Sequence, residues 1–542
     1  MEKLTPASKL LIVGVLAVCG AVGYRTHKHR FVPVSPEHVA VAATSASKPA
    51  AAPAPAQKRE KRPFRVAVSQ WPGHMPLLVA AGGLTTQPDS PAAHEGLEFE
   101  IVFIEDAPSK NKALLNDEID AVWQTVDELP ISLGAYRSAG VEAKAFLQID
   151  WSRGGDACVA SPQVQKPEDL KGRGAAMLLF SPDHTVFEFM ISNSRLSPAE
   201  IAEVRKAAQF SPDDFTFGRK LFEEGKVDVA CLWEPDVTLA LQSRPGAHRL
   251  FSTADATELV ADVLFAKKSF LDEHPDFAQK LTRAWFAAVK QAEEDRPKAA
   301  KLISTVASRF RDELGYEKTL AALSWAKWTA LSDNVRFFGL DGQTPAFDRV
   351  YNQADGIWIN YPQAEIKDRF APVTLRDDRA VRSVWEQLGK PAPEPNETYE
   401  PRVARVGSPL LTKPVSIGFR SGSAELTPEA VAAVNSQVLP QIEIARGMSV
   451  RIEGNTDSLG DRSLNQDLSE RRARAIVDYL VQRGVPPQRL IARGNGAANP
   501  VAPNTTPEGR AQNRRTDILF IRNVGRLPER RSKRPETAST VP

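Results

Sequence analysis

Two proline-rich stretches divide this chain and limit what it can fold into. Residues 32–63 include the run SKPAAAPAPAQKREKRP, and residues 393–412 include PEPNETYEPRVARVGSPLL. Proline removes a backbone donor and fixes one dihedral, so neither a helix nor a sheet continues easily through such stretches. At 542 residues, the chain is also too long for one hydrophobic core. We therefore expect linkers at 32–63 and 393–412 and separate folded regions at 64–392 and 413–525.

The N-terminal residues 1–31 contain an apolar run between basic residues. Leu10–Tyr24 is uncharged, KLTPASK precedes it and RTHKHR follows it. Basic residues directly after the run are unusual for a cleaved signal peptide, so we predict an uncleaved transmembrane signal anchor in the inner membrane. The LAVC sequence ending at Cys19 resembles a lipobox, and a lipoprotein acylated there is the alternative. The run lacks the acidic residue that some ion-driven stator subunits carry, which argues against that class.

Net charge and cysteine content exclude other classes. The net charge is +2, so no strong basic field indicates nucleic acid, and residues 526–542 are typical of a disordered basic tail. The three cysteines are too few for a disulfide framework or a cysteine-rich metal site. Cys158 and Cys231 either pair, if their strands are neighbours, or remain buried thiols.

The middle region, residues 64–392, repeats a strand–helix–strand pattern twice. This order predicts two α/β lobes, each with a parallel sheet covered by helices, and a cleft between them. After about residue 270 the pattern becomes helical, and Trp325, Trp328 and Trp358 are expected in the core. The predicted strands are Arg65–Ser69, Leu97–Ile104, Ile119–Trp123, Gly174–Leu179, Lys206–Phe210 and Val227–Trp233.

Polar side chains follow several of these strands. Ligands of open parallel sheets bind at the carboxyl ends of the strands, so these side chains are candidate solute contacts. Trp71 either stacks on a flat ligand or packs as a rim or core aromatic. Asp127 alternatively caps the next helix, and Glu234 alternatively pairs with an arginine. The candidates are Ser69, Gln70, Trp71, Gln124, Asp127, Ser181 and Glu234.

The order of four segments resembles that of a known family. QWPGHMPLLVAAGG, LLNDEIDAVWQTVDELP, SPDHTVFEFM and KVDVACLWEPDV are similar to segments of the periplasmic binding proteins of nitrate, sulfonate and taurine ABC transporters. The resemblance covers most of residues 64–390. It implies a two-lobed, type II-like α/β fold that closes on a small solute without chemistry, and an ABC permease as a possible partner.

One departure from the family concerns the solute. Glycine-rich contacts are common after the third strand, whereas Gln124, Thr125 and Asp127 stand there in this chain. If Asp127 and Glu234 face the cleft, a simple oxyanion such as nitrate is disfavoured, because an uncompensated buried like charge costs several kcal/mol. Acidic groups favour a cationic or hydroxyl-rich solute.

An enzyme on the same fold is the less favoured interpretation. Relatives of the fold include a pyrimidine-forming enzyme that uses a histidine and iron, and His74 and His184 are predicted near the cleft. No cysteine-rich motif accompanies them, and no His, Cys or Asp cluster has metal-ligand spacing along the chain. We therefore expect neither catalysis nor a metal or other cofactor.

The C-terminal region, residues 413–525, has a different element order. Thr427 followed by proline marks a helix start. The predicted order is β–α–β–α–β–β, an α+β sandwich separate from the two lobes. The elements are Val415–Phe419, Glu429–Arg446, Val450–Gly454, Asn465–Arg483, Leu490–Arg493 and Thr516–Arg522.

Two long segments of this region carry a second resemblance. IEGNTDSLGDRSLNQDLSERRARAIVDYL and GNGAANPVAPNTTPEGRAQNRR are similar to the OmpA-like peptidoglycan-binding module over all of 413–525. A small departure is Asn455, where a histidine is common. The resemblance implies non-covalent binding of diaminopimelate stem peptides, with Asp457 at the ammonium and Arg472 at the carboxylate.

The chemistry of these residue types agrees with that assignment. The planar fork of arginine meets a carboxylate in two hydrogen bonds. Asn465 lies seven residues before Arg472, on the same helix face, and either contacts the peptide or holds the loop. Arg514 is expected in the pocket, while Arg510 either braces the fold or closes the pocket. Alternatively, Asp457 and Arg472 merely pair with each other.

Together these features predict a cell-envelope protein that captures a solute between two lobes and binds peptidoglycan at its C-terminus. Its expected partners are peptidoglycan, a small solute, an ABC permease and the inner membrane, and nucleic acid is not expected. The alternative is a structural envelope protein whose two-lobed region is a spacer or a docking unit without a ligand.

Overall fold

The computed structural model describes residues 62–366, 369–389, 407–420 and 422–523. The apolar run Leu10–Tyr24, Cys19, most of both predicted linkers and the predicted tail lie outside the described residues. Within the described part of the chain, no helix is both long and apolar enough to cross a membrane. The signal anchor and the lipobox therefore stay predictions.

Three β-sheets organise the described residues. Their strands, in chain order, are β1 (Phe64–Val68), β2 (Phe99–Phe103), β3 (Ala121–Thr125), β4 (Ala143–Ser152), β5 (Asp156–Ala160), β6 (Ala175–Leu178), β7 (Gln209–Ser211), β8 (Val229–Trp233), β9 (His248–Ser252), β10 (Ala261–Lys267), β11 (Ala326–Trp328), β12 (Leu411–Val415), β13 (Met448–Gly454), β14 (Leu490–Gly494) and β15 (Thr516–Arg522).

The α-helices cover the faces of these sheets. They are Pro76–Ala81, Pro91–His94, Ala107–Leu115, Leu129–Ser138, Pro182–Ser192, Pro198–Ala207, Phe217–Glu223, Asp236–Ser243, Lys268–Glu273, Pro275–Glu294, Arg296–Val306, Gly315–Ala322, Leu331–Phe337, Ala346–Trp358, Arg379–Leu388, Pro428–Ala433, Leu439–Ile444, Arg462–Gln482 and Pro507–Asn513.

Serine or threonine followed by proline starts several of these helices. Ser181 and Ser197 each accept a hydrogen bond from the backbone N–H three residues later, and proline occupies the first helical position. Thr427 and Thr506 do the same in the C-terminal domain. The cap accepts a hydrogen bond from a backbone N–H that has no partner within the helix. Proline at the first helical position costs no helical hydrogen bond, because the N–H it lacks would have had no partner there. These dipeptides therefore place helix starts directly after loops.

The first lobe is built on a six-stranded sheet in the order β11-β4-β10-β3-β1-β2, and the second on a five-stranded sheet in the order β7-β6-β8-β5-β9. β1 pairs in parallel with β2 and β3, and β6 pairs in parallel with β7 and β8. The prediction of purely parallel sheets is wrong, because β10 and β5 pair antiparallel with their neighbours. β10 and β5 begin at the cleft, whereas the strands beside them end there.

Two local predictions also differ from the structure. Lys206 belongs to the helix Pro198–Ala207, so the strand predicted at 206–210 shrinks to β7. Residues 326–328 form the edge strand β11 within a region expected to be helical, where Trp328 and Trp358 are buried and Trp325 is half-buried. The core role of these tryptophans is thus confirmed for two of the three.

Cys158 and Cys231 face each other on the neighbouring strands β5 and β8. The structure joins them in a disulfide, with Cα atoms 3.9 Å apart. Of the two alternatives for these cysteines, the structure therefore shows the paired one.

The C-terminal domain, residues 407–523, has its own four-stranded sheet in the order β12-β15-β13-β14. The predicted strands and the two predicted helical regions are present, but the first strand lies at Leu411–Val415 instead of Val415–Phe419, and an unpredicted helix, Pro507–Asn513, separates β14 from β15. Helix Arg462–Gln482 lies directly on the sheet, because a Cβ at Gly454 would meet the Ser469 carbonyl at 2.4 Å and one at Gly494 would meet the Glu470 nitrogen at 2.5 Å. The two glycines thereby bring this helix close to the loop that follows β13.

The C-terminal domain packs on the segment that returns the chain from the second lobe to the first, residues 252–261, here called the crossover segment. The Glu258 N–H donates to the Ile444 carbonyl at 3.1 Å, and Arg522 binds Asp255 at 2.7 Å. A Cβ at Gly447 would lie 2.2 Å from the Ala254 carbonyl oxygen. Apolar residues of the second lobe and of this domain form one continuous buried cluster.

A buried acid strengthens this contact. Glu258 binds Arg336, Arg349 and Arg446, of which only Arg446 belongs to the C-terminal domain. Burial alone would raise the pKa of Glu258, but the three guanidinium groups outweigh it and hold the pKa well below its usual range. The carboxylate is therefore ionised and compensated where the two folded regions meet.

Candidate functional site

The cleft between the lobes contains most of the predicted solute contacts at strand ends. Ser69, Gln70 and Trp71 follow β1, Asp127 follows β3, and Glu234 follows β8. These residues therefore stand at the carboxyl ends of strands, where open parallel sheets bind ligands, and their contact with a solute stays a prediction.

Trp71 is held by an acid. Its Nε1–H donates to Asp150 Oδ2 at 3.1 Å. Its ring lies against Gly155, where a Cβ would come within 2.2 Å of the indole. Stacking of Trp71 on a solute stays a prediction.

Asp127 connects the two lobes. It is fully buried, and its Oδ2 accepts a 2.6 Å hydrogen bond from Thr185, which lies on a helix of the second lobe. Its side chain does not cap the following helix, whose N-terminus has no side-chain cap. Burial first, and then the nearby Glu128, raise the pKa of Asp127 to about 8. Its Oδ1 has no hydrogen-bond partner among the described residues.

Gln124 and Ser181 already form hydrogen bonds with other residues of the protein. Gln124 Nε2 donates to Glu128 at 3.2 Å, while its Oε1 has no partner among the described residues. Ser181 caps helix Pro182–Ser192 and donates to the Leu178 carbonyl at 2.9 Å. Ser181 therefore orders the entry of the helix that carries Thr185, and its contact with a solute stays a prediction.

Glu234 pairs with an arginine, which was the alternative to a contact with the solute. It is buried and binds Arg249 and Thr238. Burial raises the pKa of Glu234, although Arg249 opposes this shift. Glu234 is thus a compensated acid and a weaker candidate for direct solute binding than Asp127.

The structure adds acids that the sequence analysis missed. Asp150, Asp156, Asp183 and Asp262 are all buried around the cleft. Burial is the largest cause that raises the pKa of Asp183 well above its usual range, followed by Asp156, Asp236 and Asp127. Burial likewise raises the pKa of Asp156 to about 7. These residues lie within strands or directly after a proline, where no local sequence pattern indicates a binding site.

Several acceptors in this cleft have no donor among the described residues. A buried acceptor without a hydrogen bond costs free energy, which a proton, a water molecule or a bound group offsets. The unpaired atoms are Gln124 Oε1, Asp127 Oδ1, Gln148 Oε1, Asp150 Oδ1, Asp183 Oδ1 and Asp262 Oδ1.

The two candidate histidines have different surroundings. His184 lies among aromatic rings, 2.9 Å from the Tyr361 hydroxyl, and burial lowers its pKa to about 3. It is therefore neutral and braces the fold. His74 lies instead beside Asp262, with Nε2 3.3 Å from a carboxylate oxygen.

The second candidate site lies in the C-terminal domain, in the loop after β13. Asp457 Oδ2 accepts a 2.7 Å hydrogen bond from Arg514, and its Oδ1 accepts one from the Leu459 N–H at 3.0 Å. Asp457 therefore pairs with Arg514, and the predicted alternative of a direct pair with Arg472 is not what the structure shows.

Arg472, on helix Arg462–Gln482, contacts a different loop, the one that follows β12. Its guanidinium donates to the carbonyls of Ser423 and Arg420, at 3.0 and 3.2 Å, and lies 5.0 Å from the centre of the Phe419 ring. Its pKa is lowered by burial and then by Arg471 and Arg514, while Asp457 opposes the shift. One acid and two arginines thus share one electrostatic environment, as the binding of a zwitterion requires.

The remaining predicted residues support the loop. Asn465 donates to the Leu459 carbonyl at 2.8 Å, which favours the loop-holding alternative. Arg510 donates to the Asn504 carbonyl at 2.9 Å, and Asn504 in turn accepts from the Ser458 N–H at 3.2 Å. Arg510 therefore braces the loops, whereas Arg514 binds Asp457 and its place in a peptide pocket stays a prediction.

Family models match both folded regions. The model described as "NMT1/THI5 like" matches residues 93–300, and the model described as "OmpA family" matches residues 418–514. The chain therefore joins a region similar to ABC solute-binding proteins to an OmpA-family region, which confirms both resemblances.

Curated relatives match the C-terminal part. The peptidoglycan-binding protein ArfA of Mycobacterium tuberculosis is 34% identical over 166 residues, which are 29% of this chain and 48% of ArfA. Outer membrane protein A of Bordetella avium is 37% identical over 130 residues, 24% of this chain and 64% of that protein. The chain thus spans about half to two thirds of the length of these relatives.

A solved structure is similar to the two-lobed region. The periplasmic aliphatic sulphonate binding protein SsuA from Escherichia coli superposes with a TM-score of 0.43 and 15% identity, over 58% of this chain and 97% of SsuA.

Proposed function

Because one chain joins a region of solute-binding type to an OmpA-family domain, we propose that it is a solute-binding protein tethered to the cell wall. The C-terminal domain binds diaminopimelate-type peptidoglycan non-covalently, and the two lobes capture a small solute for ABC-type uptake or for sensing. The predicted N-terminal anchor attaches the chain to the inner membrane, so that the folded regions lie in the periplasm.

The observation that carries the proposal is the arrangement at the loop after β13. Asp457 is an acceptor for an ammonium group, and Arg472 lies in the same electrostatic environment with a guanidinium held by backbone carbonyls. Diaminopimelate presents an ammonium and a carboxylate side by side, and its carboxylate is suited to the fork of Arg472. Arg514 orients Asp457 for this contact.

The acid-rich cleft supports a cationic solute. Asp127 on the first lobe and Asp183 on the second are buried, and each retains an oxygen without a partner among the described residues. A solute with N–H donors or a positive charge satisfies both when the lobes close. A cation pairs with the ionised forms of these acids and so opposes the burial that raises their pKa values, whereas an oxyanion binds only while they stay protonated.

One observation favours the alternative of a spacer without a ligand. Arg309 binds Asp236 at 2.9 Å and Asp127 binds Thr185, so the lobes contact each other directly across the cleft. A cavity between Gln70, Glu234 and Arg309 measures about 10 Å³, which is room for about one water molecule. Solute entry therefore requires the lobes to separate.

Two measurements on the purified chain test the proposal. Co-sedimentation with diaminopimelate-containing sacculi, compared with lysine-type sacculi, tests the C-terminal domain. Thermal shifts with a library of amines, amidines, sugars and oxyanions test the cleft, and we expect shifts with the cations. Failure to sediment with either type of sacculus contradicts the wall proposal, and an unshifted midpoint with every solute supports the spacer.

A further inference from the structure

A second cluster in the first lobe remains outside the proposed function. His74, Asp150 and Asp262 come from three separate elements: the turn after β1, strand β4 and strand β10. Each offers one ligand atom, and these atoms all lie within 4.8 Å of one another. The three residues are 1%, 0% and 4% exposed. The spacing of these residues along the chain gives no sign of the cluster.

The charges in this cluster are unbalanced. Asp150 and Asp262 are direct cross-strand partners on β4 and β10. Each has a buried Oδ1 without a hydrogen-bond partner among the described residues. Lys110 acts electrostatically on the cluster, but its Nζ binds Glu128 at 3.1 Å. Two buried carboxylates side by side are costly unless a proton or a cation lies between them.

The surroundings orient the three groups. The Nδ1 of His74 lies 3.0 Å from the Ser69 hydroxyl and 3.3 Å from both the N–H and the carbonyl of Ser69, and these contacts orient the imidazole so that Nε2 lies 3.3 Å from Asp262. Trp71 holds Asp150 by a hydrogen bond of 3.1 Å. A Cβ at Gly73 would lie 1.6 Å from Asp150 Oδ2, so this carboxylate reaches the turn only because residue 73 is glycine.

We propose that His74, Asp150 and Asp262 bind a divalent first-row transition metal ion. One imidazole nitrogen and two carboxylate oxygens form a donor set suited to zinc, manganese, iron, cobalt or nickel. A divalent ion balances the two carboxylates, and an organic ammonium with one charge does not. All three ligands belong to the first lobe, so the site is independent of the solute proposed above.

The test uses the full chain, stripped with a chelator, without solute or peptidoglycan. Titration calorimetry with Mn²⁺, Co²⁺, Ni²⁺ and Zn²⁺ is expected to find one ion per chain for at least one metal. Asp262→Asn and His74→Gln should each lower the affinity for the metal ion on the order of 100-fold, and Trp71→Phe should lower it roughly 10-fold. Metal ligands and their hydrogen-bond partners contribute to affinity on this scale. The absorption of bound Co²⁺ changes in the same variants.

Asp183→Asn is the matched control, since Asp183 is an equally buried cleft acid on the other lobe. It leaves metal affinity within about threefold. Absence of stoichiometric binding by the wild-type chain for all four ions overturns the proposal. So does an unchanged affinity in both Asp262→Asn and His74→Gln, because the ion then binds elsewhere. Since neither solute nor wall is used, these outcomes leave the proposed function standing.

Discussion

The two candidate binding sites of this chain treat charge in opposite ways. In the C-terminal domain, Asp457 is paired with Arg514, whose side chain is 49% exposed. In the cleft, Asp127, Asp150 and Asp183 are buried, and each has an oxygen without a partner among the described residues. The acid of the first site is paired before a ligand binds, whereas burial keeps the acids of the cleft largely protonated at neutral pH.

The two sites therefore differ in the charge that each requires of its ligand. A balanced, partly exposed pair adds little to folding stability, so its residues can serve recognition without a large effect on the fold. Buried acids without counter-charges lower stability when they ionise, so their retention makes sense if an occupant supplies the missing charge.

The first prediction concerns the pH dependence of stability, to which the acids of the cleft should contribute. The folded-state pKa of Asp127, about 8, lies above its value in an unfolded chain. Its contribution to stability is therefore complete below about pH 4 and is lost as the pH rises to about 8, a change on the order of 5 kcal/mol. Asp127→Asn should flatten this fall in urea unfolding between pH 5 and pH 8.

Thr185→Val is the control for this experiment, since it removes the hydrogen bond to Asp127 but leaves the carboxyl group in place. We expect its stability to fall with rising pH, as that of the wild-type chain does. Equal slopes for wild-type and Asp127→Asn protein would mean that the cleft acid is compensated, and the contrast between the two sites would disappear.

The second prediction concerns wall binding. Asp457→Ala or Arg472→Ala should each weaken co-sedimentation with sacculi by about 2–5 kcal/mol, because truncating one side of a charge-paired contact leaves the ligand group unpaired. The unfolding midpoint should change little. Arg471→Ala is the matched control, since Arg471 is exposed on the same helix and pairs with Asp467. Retention of both site variants on sacculi at wild-type levels would refute the site.

The third and smallest effect belongs to Arg514. Arg514→Ala removes the hydrogen bond that orients Asp457 but leaves the carboxylate in place. We expect wall affinity to fall by about 1–2 kcal/mol, the scale of one charge-assisted hydrogen bond. Arg510→Ala, which removes a loop brace, should instead act mainly on thermal stability. A larger binding loss for Arg510→Ala than for Arg514→Ala would reverse these roles.

The sequence predicted the fold well where residues close in the chain determine it. The strand and helix order of both regions follows from local periodicity and from caps such as Ser197 and Thr427. The antiparallel pairing of β5 and β10 was missed, because a strand's direction within a sheet depends on where the chain enters the lobe. The packing of Gly447 on the crossover segment was missed for a related reason, since no local pattern marks a contact between distant regions.

The candidate sites differ in the same respect. Asp457 and Arg472 stand within one continuous motif, so a resemblance located both. Asp127 was found because it directly follows a strand. Asp150 and Asp262 lie inside strands, and only the pairing of β4 with β10 brings them together.

The packing of the C-terminal domain on the crossover segment has a thermodynamic consequence. Separation of the lobes changes the path of this segment, and with it the contacts of Asp255 and Glu258 to Arg522 and Ile444. Whatever free energy those contacts gain or lose on opening links the two ends of the molecule, and such linkage is reciprocal. If the chain binds a solute and the wall as proposed, a solute that closes the lobes and a wall that binds the C-terminal domain would then act as effectors of one another, although their sites share no residue.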